Sequence, residues 1–574
     1  MKTDTNNAYF KEFADLMQTL ADTRSTNAKI SLFAEYISQL TKTEDLRLAC
    51  QFTGEGAFSS ISGKRASVGH RTIAVAAADF CEIDYDLVFR ACRTATGSST
   101  ESIKLLFENF DTVKEKQHLK NLTLQEIGAI FQQLESAKKR VHKNEILINV
   151  FQSLNPVEVK YFLRLLSQGS LRIGFEARSI INALAKAFNV ELESVRYAHM
   201  ITGSLGETAV MCKNKALDKA SFQMFNPIAF MLASPAEPEE ISNIEEYLAE
   251  EKFDGMRCQV HVESGTVKLF SRDLNEISSA FPELLAFFES KNISSTVLDG
   301  EVCVVKDQAI MPFQHLQKRM GVKKPNKKLL EQYPVQFIAY DIMFLDKAPL
   351  FKETLIQRRK HLDFFCKKFE IPITRQFSIQ SAEDVKNMFA KALAYGNEGL
   401  MLKHRDSEYE YGQRRRSWIK IKEPSGSFDT VIMYAHAGSG KRGGTYSDFT
   451  LGVSVKEDDR YSESFIPIGK AYGGYTDDEL KKLNTAIKPL IVERFGPTLS
   501  LKPGIVVELE FDDIQINKRT KAGYTLRFPR FRRIRWDLSP NDVNTLSDVE
   551  KMFAKKANAK PLNQADNHSF ISFD

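Results

Sequence analysis

From the start of the chain to about residue 220, apolar residues return at helical spacing, as in Phe10, Phe13, Met17 and Leu20, and Gly and Pro are infrequent inside these stretches. This pattern predicts an all-helical region. Within it, two helical patterns between Tyr161 and Phe188 flank Gly169-Ser170-Leu171-Arg172-Ile173-Gly174. Glycines there end a helix or let backbone approach a partner closely. A plain helix-helix turn and a phosphate-backbone contact through Arg172 both remain open at this point. Near Pro227 the character changes. Pro227, Pro235 and Pro238 interrupt a segment that passes into strand-like runs over 258–262 and 296–305, interleaved with helical stretches over 352–369 and 382–394. That describes a mixed α+β domain up to about Lys422. From Phe428 onward, short β-rich runs alternate with Gly-rich turns such as Gly438-Ser439-Gly440-Lys441-Arg442-Gly443-Gly444 and Tyr472-Gly473-Gly474-Tyr475, the pattern of a small β-barrel. The predicted organisation is therefore multidomain: all-α at 1–220, α+β at 221–425, β-barrel at 426–550, and a loose C-terminal tail at 551–574. No internal repeat is present.

A chain of 574 residues exceeds what one hydrophobic core organises, which agrees with several domains. With 43% hydrophobic and 27% charged residues the composition is that of a folded, soluble protein. The seven cysteines are scattered, with no C-x-x-C pair and no histidines at metal-finger spacing, so a reducing compartment and no structural zinc are expected. The first residues are polar and no apolar run approaches the roughly 20 residues that cross a bilayer, so the expectation is an intracellular, cytoplasmic protein without membrane contact. The net charge of +5, from 79 basic and 74 acidic residues, is too small to imply a nucleic-acid partner, which must be argued from where the cations cluster.

The run Glu250-Glu251-Lys252-Phe253-Asp254-Gly255-Met256-Arg257 contains Lys-x-Asp-Gly-x-Arg, a combination expected by chance about once in a hundred chains of this length. A lysine amine attacks phosphorus only when unprotonated, and a neighbouring cation such as Arg257 or a bound metal favours the neutral form. Asp254 is placed to orient the amine. Alone, the run is explained as well by a solvated strand end followed by a Gly turn. Downstream come Ser271-Arg272-Asp273, Leu298-Asp299-Gly300-Glu301, Ala339-Tyr340-Asp341, Glu398-Gly399-Leu400-Met401-Leu402-Lys403 and Trp418-Ile419-Lys420-Ile421-Lys422. The alternation of the last puts both lysines on one strand face.

In this order the motifs resemble those of the ATP-dependent DNA ligases of the covalent nucleotidyltransferase superfamily, over nearly the whole chain and in the three-domain cellular layout. The resemblance implies a helical DNA-binding domain, an adenylation (nucleotidyltransferase) domain and an OB-fold domain. It implies sealing of 5′-phosphate/3′-hydroxyl nicks in duplex DNA, in replication, repair or recombination, by a monomer that uses ATP and Mg²⁺ and is nucleoid-associated if bacterial. Lys252 is then the nucleophile that carries AMP, with Asp254 and Arg257 as catalytic neighbours. Glu250, Arg272, Glu301, Tyr340, Arg414, Lys420 and Lys422 are expected to bind the nucleotide, Tyr340 by stacking on adenine. Glu301 and Glu398 are expected to hold the metal. Arg172, Lys403, Lys441, Arg442, Arg530 and Arg535 are expected to meet phosphates or DNA.

The chain departs from the family pattern in one place. Arg535-Trp536-Asp537 is followed by Leu538, where the family commonly has lysine, so one phosphate donor is missing. Slow or ATP-demanding self-adenylation is expected, partly rescued by Arg530, Arg532 or Arg533. An RNA ligase or an mRNA-capping guanylyltransferase shares the lysine motif, but the first 220 residues count against both. An NAD⁺-dependent ligase would bring a zinc-binding cysteine cluster, which this chain lacks. A noncatalytic end-binding protein of the same fold is the remaining rival. The basic pairs in Lys323-Lys324-Pro325-Asn326-Lys327-Lys328 fit a solvated loop better than a nuclear signal.

Overall fold

The computed structural model describes residues 7–59, 68–167, 171–306, 309–410, 414–422, 426–438, 442, 445–558 and 571–572. Contacts divide the chain into two compact units, one of residues 1–221, 427–511 and 518–544, the other of 222–426, 512–517 and 545–574.

Among the described residues, the elements up to residue 213 are helices, from Phe10–Asp22 through Leu205–Lys213. The predicted stripe of Phe10, Phe13, Met17 and Leu20 is fully buried in one continuous apolar core. Local chemistry sets several helix starts: Asn155 and Glu158 cap one another's backbone N–H groups, and Pro156 follows at the first helical position of Pro156–Leu166. In the segment before the helix Ala177–Phe188, Leu171, Ile173 and Phe175 point into the core while Arg172, Gly174 and Glu176 are exposed.

The second unit holds two sheets. The larger runs in the order Ile571–Ser572, Ile373–Thr374, Val335–Leu345, Thr296–Lys306, Met256–Glu263, Thr266–Ser271. The smaller runs Leu232–Pro235, Arg414–Lys422, Gly399–His404, Tyr247–Lys252, Phe377–Ser378. Helix Leu355–Phe369 covers the back of the larger sheet, where Arg358 and Asp341 form an ion pair at 2.8 Å with both side chains buried. Helix Ala382–Ala394 packs Val385 and Ala392 onto Leu400, Leu402, Ile419 and Ile421 behind the smaller one. Both helices lie where the apolar period predicts them. The strands exceed their predicted ends because their backbone pairing continues past the apolar residues.

Among its described residues the third domain is β-rich, with the helix Asp477–Ala486 and short 3₁₀ turns. The strands Phe465–Ala471, Tyr446–Ser454, Gly426–Ala437, Thr498–Leu501 and Ile491–Phe495 are neighbours in one sheet, and Val506–Phe511 and Arg530–Arg535 extend it from Gly426–Ala437. Gly474 is obligatory in the turn before the helix: its φ is +92°, and a Cβ there would lie 2.0 Å from the Phe531 carbonyl oxygen.

Where it is described, at 551–558 and 571–572, the segment expected to be a loose tail carries structure. Thr545 and Asp548 exchange side-chain-to-backbone hydrogen bonds of 2.8 and 3.2 Å, starting a helix over Leu546–Asn558 that buries Leu546 and Val549. Further on, Ile571–Ser572 adds an antiparallel edge to Ile373–Thr374. Leu546, Val549, Met552 and Phe553 fall at helical spacing, and the boundary drawn at residue 550 cut this period in two. Among the described residues, no helix is long and apolar enough to cross a membrane.

Candidate functional site

Side chains alternate along strands, so the smaller sheet presents one face of Ile419, Ile421, Leu400, Leu402 and Ala249 to its own core. The opposite face carries Glu250 and Lys252, Met401 and Lys403, and Trp418, Lys420 and Lys422. Register aligns them in rows: Lys252 and Lys422 both pair with Gly399, Glu250 and Lys420 both pair with Met401, and Trp418 pairs with Lys403. Thus three motifs separated by up to 170 residues become one polar wall.

The larger sheet supplies the facing wall through Tyr340, Asp299, Glu301 and Arg257. The two meet where the Lys403 ammonium lies 4.6 Å from the Tyr340 ring and 4.5 Å from that of Trp418. Arg257 crosses similarly, 5.4 Å from the Trp418 ring and 4.5 Å from that of Phe230.

At the mouth of this cleft Lys252 ends its strand, and its ammonium donates to the Glu398 carboxylate. The Glu398 backbone N–H in turn donates to the Lys252 carbonyl at 2.8 Å. Glu301 faces the same pair. Burial pushes its carboxyl up to about 8, against the lowering influence of Lys252 and Arg257, while Asp299 and Glu398 push it further up. Gly255 lets the loop after Lys252 lie directly on Glu301: a Cβ there would sit 2.6 Å from Glu301 Cγ and 2.7 Å from both Cys303 Sγ and the Val302 oxygen.

Several expected roles change on this geometry. The carboxylate that meets the amine is that of Glu398; Asp254 accepts from the Phe313 N–H at 3.2 Å. Arg257 is not an uncompensated cation beside Lys252, because it grips Asp299 through two hydrogen bonds of 3.1 and 2.6 Å and donates to the Met231 carbonyl at 2.6 Å. Lys403 is not placed as a DNA contact. It is 2% exposed and donates to Glu250, also 2% exposed, at 2.7 Å. Glu250 further accepts from Gln376 at 2.7 Å and Thr374 at 3.2 Å, so its carboxylate is committed within the wall. Lys422 lies 3.1 Å from Asp512, and Arg272 is exposed in the turn after Thr266–Ser271. Tyr340 stands half-buried in the cleft, its hydroxyl pushed well above the usual range by burial. The Arg414 side chain and Lys441 lie outside the described residues.

In the β domain, Arg442 donates to the Tyr475 hydroxyl at 3.2 Å and stacks on its ring. Arg530 pairs with Glu510 at 2.9 Å. Arg535 chelates Asp537 and reaches Asp429 at 3.3 Å, which raises its own pKa and holds the Asp537 carboxyl down at about 2. Sequence reasoning missed the acidic partners of this basic strand, although the alternation Val507-Glu508-Leu509-Glu510 carries the signal. It also assigned no role to Asp299, which accepts from the Tyr409 hydroxyl at 2.9 Å as well as from Arg257.

Glu301 and Glu398 suit a hard divalent cation. Glu301 is a desolvated carboxyl that lacks enough positive charge to ionise easily. Mg²⁺ is typically held by one or two carboxylates together with water and substrate phosphates, so the pair suffices. A lysine at the mouth of a cleft, two carboxylates beside it, an aromatic ring behind it and lysines in register define a lysine-dependent nucleotidyltransferase.

Comparison with known proteins identifies the family. Three family models match in succession: DNA ligase N terminus over residues 9–218, ATP dependent DNA ligase domain over 230–422, and ATP dependent DNA ligase C terminal region over 442–538. A probable DNA ligase of Koribacter versatilis is 31% identical, covering 75% of this chain and 78% of that protein. DNA ligases of Methanoculleus marisnigri and Archaeoglobus fulgidus are 29% and 28% identical and match 96% and 95% of this chain and 99% and 98% of their own lengths. A solved structure described as Pmar-Lig_PreS3 shares the fold, with a TM-score of 0.59 at 17% identity over 91% of this chain and 99% of that one. The chain belongs to the ATP-dependent DNA ligase family. It is an enzyme that joins DNA strands at the expense of ATP.

Proposed function

We propose that Lys252 is the residue that takes AMP from ATP, and that the cleft around it serves all three transfers of nick sealing. The observation that carries this is the Lys252–Glu398 ion pair, set at the cleft mouth in reach of Glu301. Attack needs the neutral amine, so the ammonium that donates to Glu398 must give up a proton before Lys252 reaches the α-phosphorus. Pyrophosphate departs and a lysyl-AMP phosphoramidate remains. AMP then passes to the 5′-phosphate of a nicked duplex, and the adjacent 3′-hydroxyl attacks that phosphate and expels AMP.

Mg²⁺ held by Glu301 and Glu398 would supply positive charge beside the amine and the transferring phosphate. Tyr340 offers an apolar face to adenine. Lys420 and Lys422 place charge where the phosphates lie, and Asp512 must yield Lys422 to them. Arg257 acts through position, holding Asp299 and the two walls together. Glu250 orders the adenine end through Lys403, Thr374 and Gln376. In the helical domain the exposed Arg172 meets a DNA phosphate, and in the β domain Arg442, Arg530 and Arg535 are further backbone contacts. The enzyme works as a monomer on nicked duplex DNA in the cytoplasm.

Incubation with Mg²⁺ and α-labelled ATP, GTP or NAD⁺ tests the reading. Label that stays on the protein through denaturing electrophoresis and is released by mild acid, as a phosphoramidate is, is expected from ATP alone and is absent in Lys252→Ala, followed by sealing of nicked DNA and not nicked RNA. Label retained in Lys252→Ala overturns the assignment of the nucleophile.

A further inference from the structure

Lys29 lies in the helix Thr26–Gln39, remote in sequence from every motif, yet only 3% of it is exposed. Its ammonium donates to the carbonyl oxygen of Ile173 and, at 3.2 Å, to that of Gly174. A second cation acts on the same segment: Arg164, from the helix Pro156–Leu166, donates to the Leu171 carbonyl at 2.8 Å. Three of four successive carbonyls from Leu171 to Gly174 are thus drawn inward by side chains from two different helices.

The segment they hold is unusual in itself. Arg172 has φ of +56°, in the left-handed region where a Cβ crowds the following carbonyl oxygen, and Gly174 follows at +60°. Leu171, Ile173 and Phe175 anchor it in the core, which leaves the Arg172 side chain outside. A strained residue persists only where its surroundings over-determine it, and such sites cluster where geometry serves binding. Burying an ammonium is costly, and a plain connection between helices does not require it.

We infer that Lys29 is a positioning residue for DNA binding: its buried ammonium fixes the Leu171–Gly174 carbonyls inward and so aims Arg172 at the phosphate backbone. This rests on the reading of Arg172 as a DNA contact. No bond is made or broken; the effect lies in presenting one cation in a fixed orientation, so that little ordering is left to occur on binding.

The test uses the full chain and a fluorescent nicked duplex whose 3′ end lacks the hydroxyl. Binding is followed by anisotropy from low to moderate salt and counted per protein molecule able to take label from ATP. Arg172→Gln is expected to bind about tenfold more weakly, with a salt slope smaller by about one. Lys29→Met is expected to give the same weakening and the same loss of slope, although Arg172 is still present. Lys29→Arg should restore both, and the double variant Lys29→Met/Arg172→Gln should be no weaker than either single one. Should Lys29→Met not yield folded protein, Arg164→Met, which releases the Leu171 carbonyl, carries the same expectation. If Arg172→Gln weakens binding while Lys29→Met binds as the unaltered chain does, the inference is overturned and the role of Arg172 stands. If Arg172→Gln binds normally, the DNA contact itself is wrong and the inference falls with it. Weakening additive in the double variant would mean that Lys29 acts elsewhere, and overturns it too.

Discussion

Lys403 donates to Glu250 at 2.7 Å across neighbouring strands, and each side chain is 2% exposed. Such a pair holds little net stability relative to apolar residues, but removing one member leaves a buried charge without its counterion. Lys403→Met should therefore destabilise the adenylation unit by roughly 3–5 kcal/mol, and the double change Lys403→Met/Glu250→Leu should recover most of that loss. Urea unfolding followed by tryptophan fluorescence measures it, since Trp418 lies 4.5 Å from the Lys403 ammonium. Equal stability of single and double variants would show that the pair is not what holds the wall.

Glu251 lies on the opposite face of the same strand, 6% exposed, and burial pushes its carboxyl up to about 8 against the pull of Asn397 and Arg375. Between the ordinary carboxylate range and pH 8 the native chain therefore keeps a proton that the unfolded chain has released. Stability from this group is complete at acid pH and is lost as pH rises towards 8, at no more than about 1.4 kcal/mol per unit. Glu301, raised likewise to about 8, adds a slope of the same sign. Below about pH 6.5 the buried His199 and His261, lowered to about 4 and 3, act in the opposite sense, so Glu251→Gln should make the decline of metal-free protein shallower between about pH 6.5 and 8. An unaltered slope in thermal or urea unfolding across that range would exclude Glu251 as its source.

Gly255 has no room for a methyl group: its Cβ would lie 2.7 Å from the Val302 carbonyl oxygen, which belongs to the strand that carries Glu301. Gly255→Ala must displace the loop that follows Lys252 or that strand. A shift near 1 Å at reacting groups costs about a hundredfold in rate. Self-adenylation measured in single turnover should slow by about that factor, with ATP affinity little changed. Wild-type adenylation in this variant would mean that the contact between loop and strand is dispensable.

The order of motifs and the three-part layout were legible in the sequence, and strand alternation puts Lys420 and Lys422 on one face; the facing wall, brought up by a second sheet, was not. What was not legible is compensation. Nothing in the spacing shows that Arg257 is neutralised by Asp299, Lys403 by Glu250, or the arginines at 530, 532 and 533 by Glu510 and Glu508. Each pairing depends on which strands become neighbours, and a motif read singly attributes to its cation a freedom that the fold has removed. Lys29 was missed for the same reason, since its partners are backbone carbonyls more than 140 residues away.

Leu538, standing where the family commonly has lysine, packs half-buried against the cluster of Val431, Phe465, Val506 and Val543. The absence of a donor is thus matched by an apolar contact in the β domain. Leu538→Lys must either bury an ammonium or let the stem of the new side chain cover the valines while its charge reaches water. The second is the cheaper course, and a loss of about 1–2 kcal/mol is expected from the β domain, visible as a lower Tm. If the missing donor limits loading of Lys252, the same variant should adenylate faster at low ATP despite that loss. Leu538→Met, apolar and of similar volume, should change neither quantity. A Leu538→Lys enzyme with unchanged adenylation rate and unchanged ATP dependence would mean that the basic strand Arg530–Arg535 already supplies the charge, and that Leu538 is retained for packing alone.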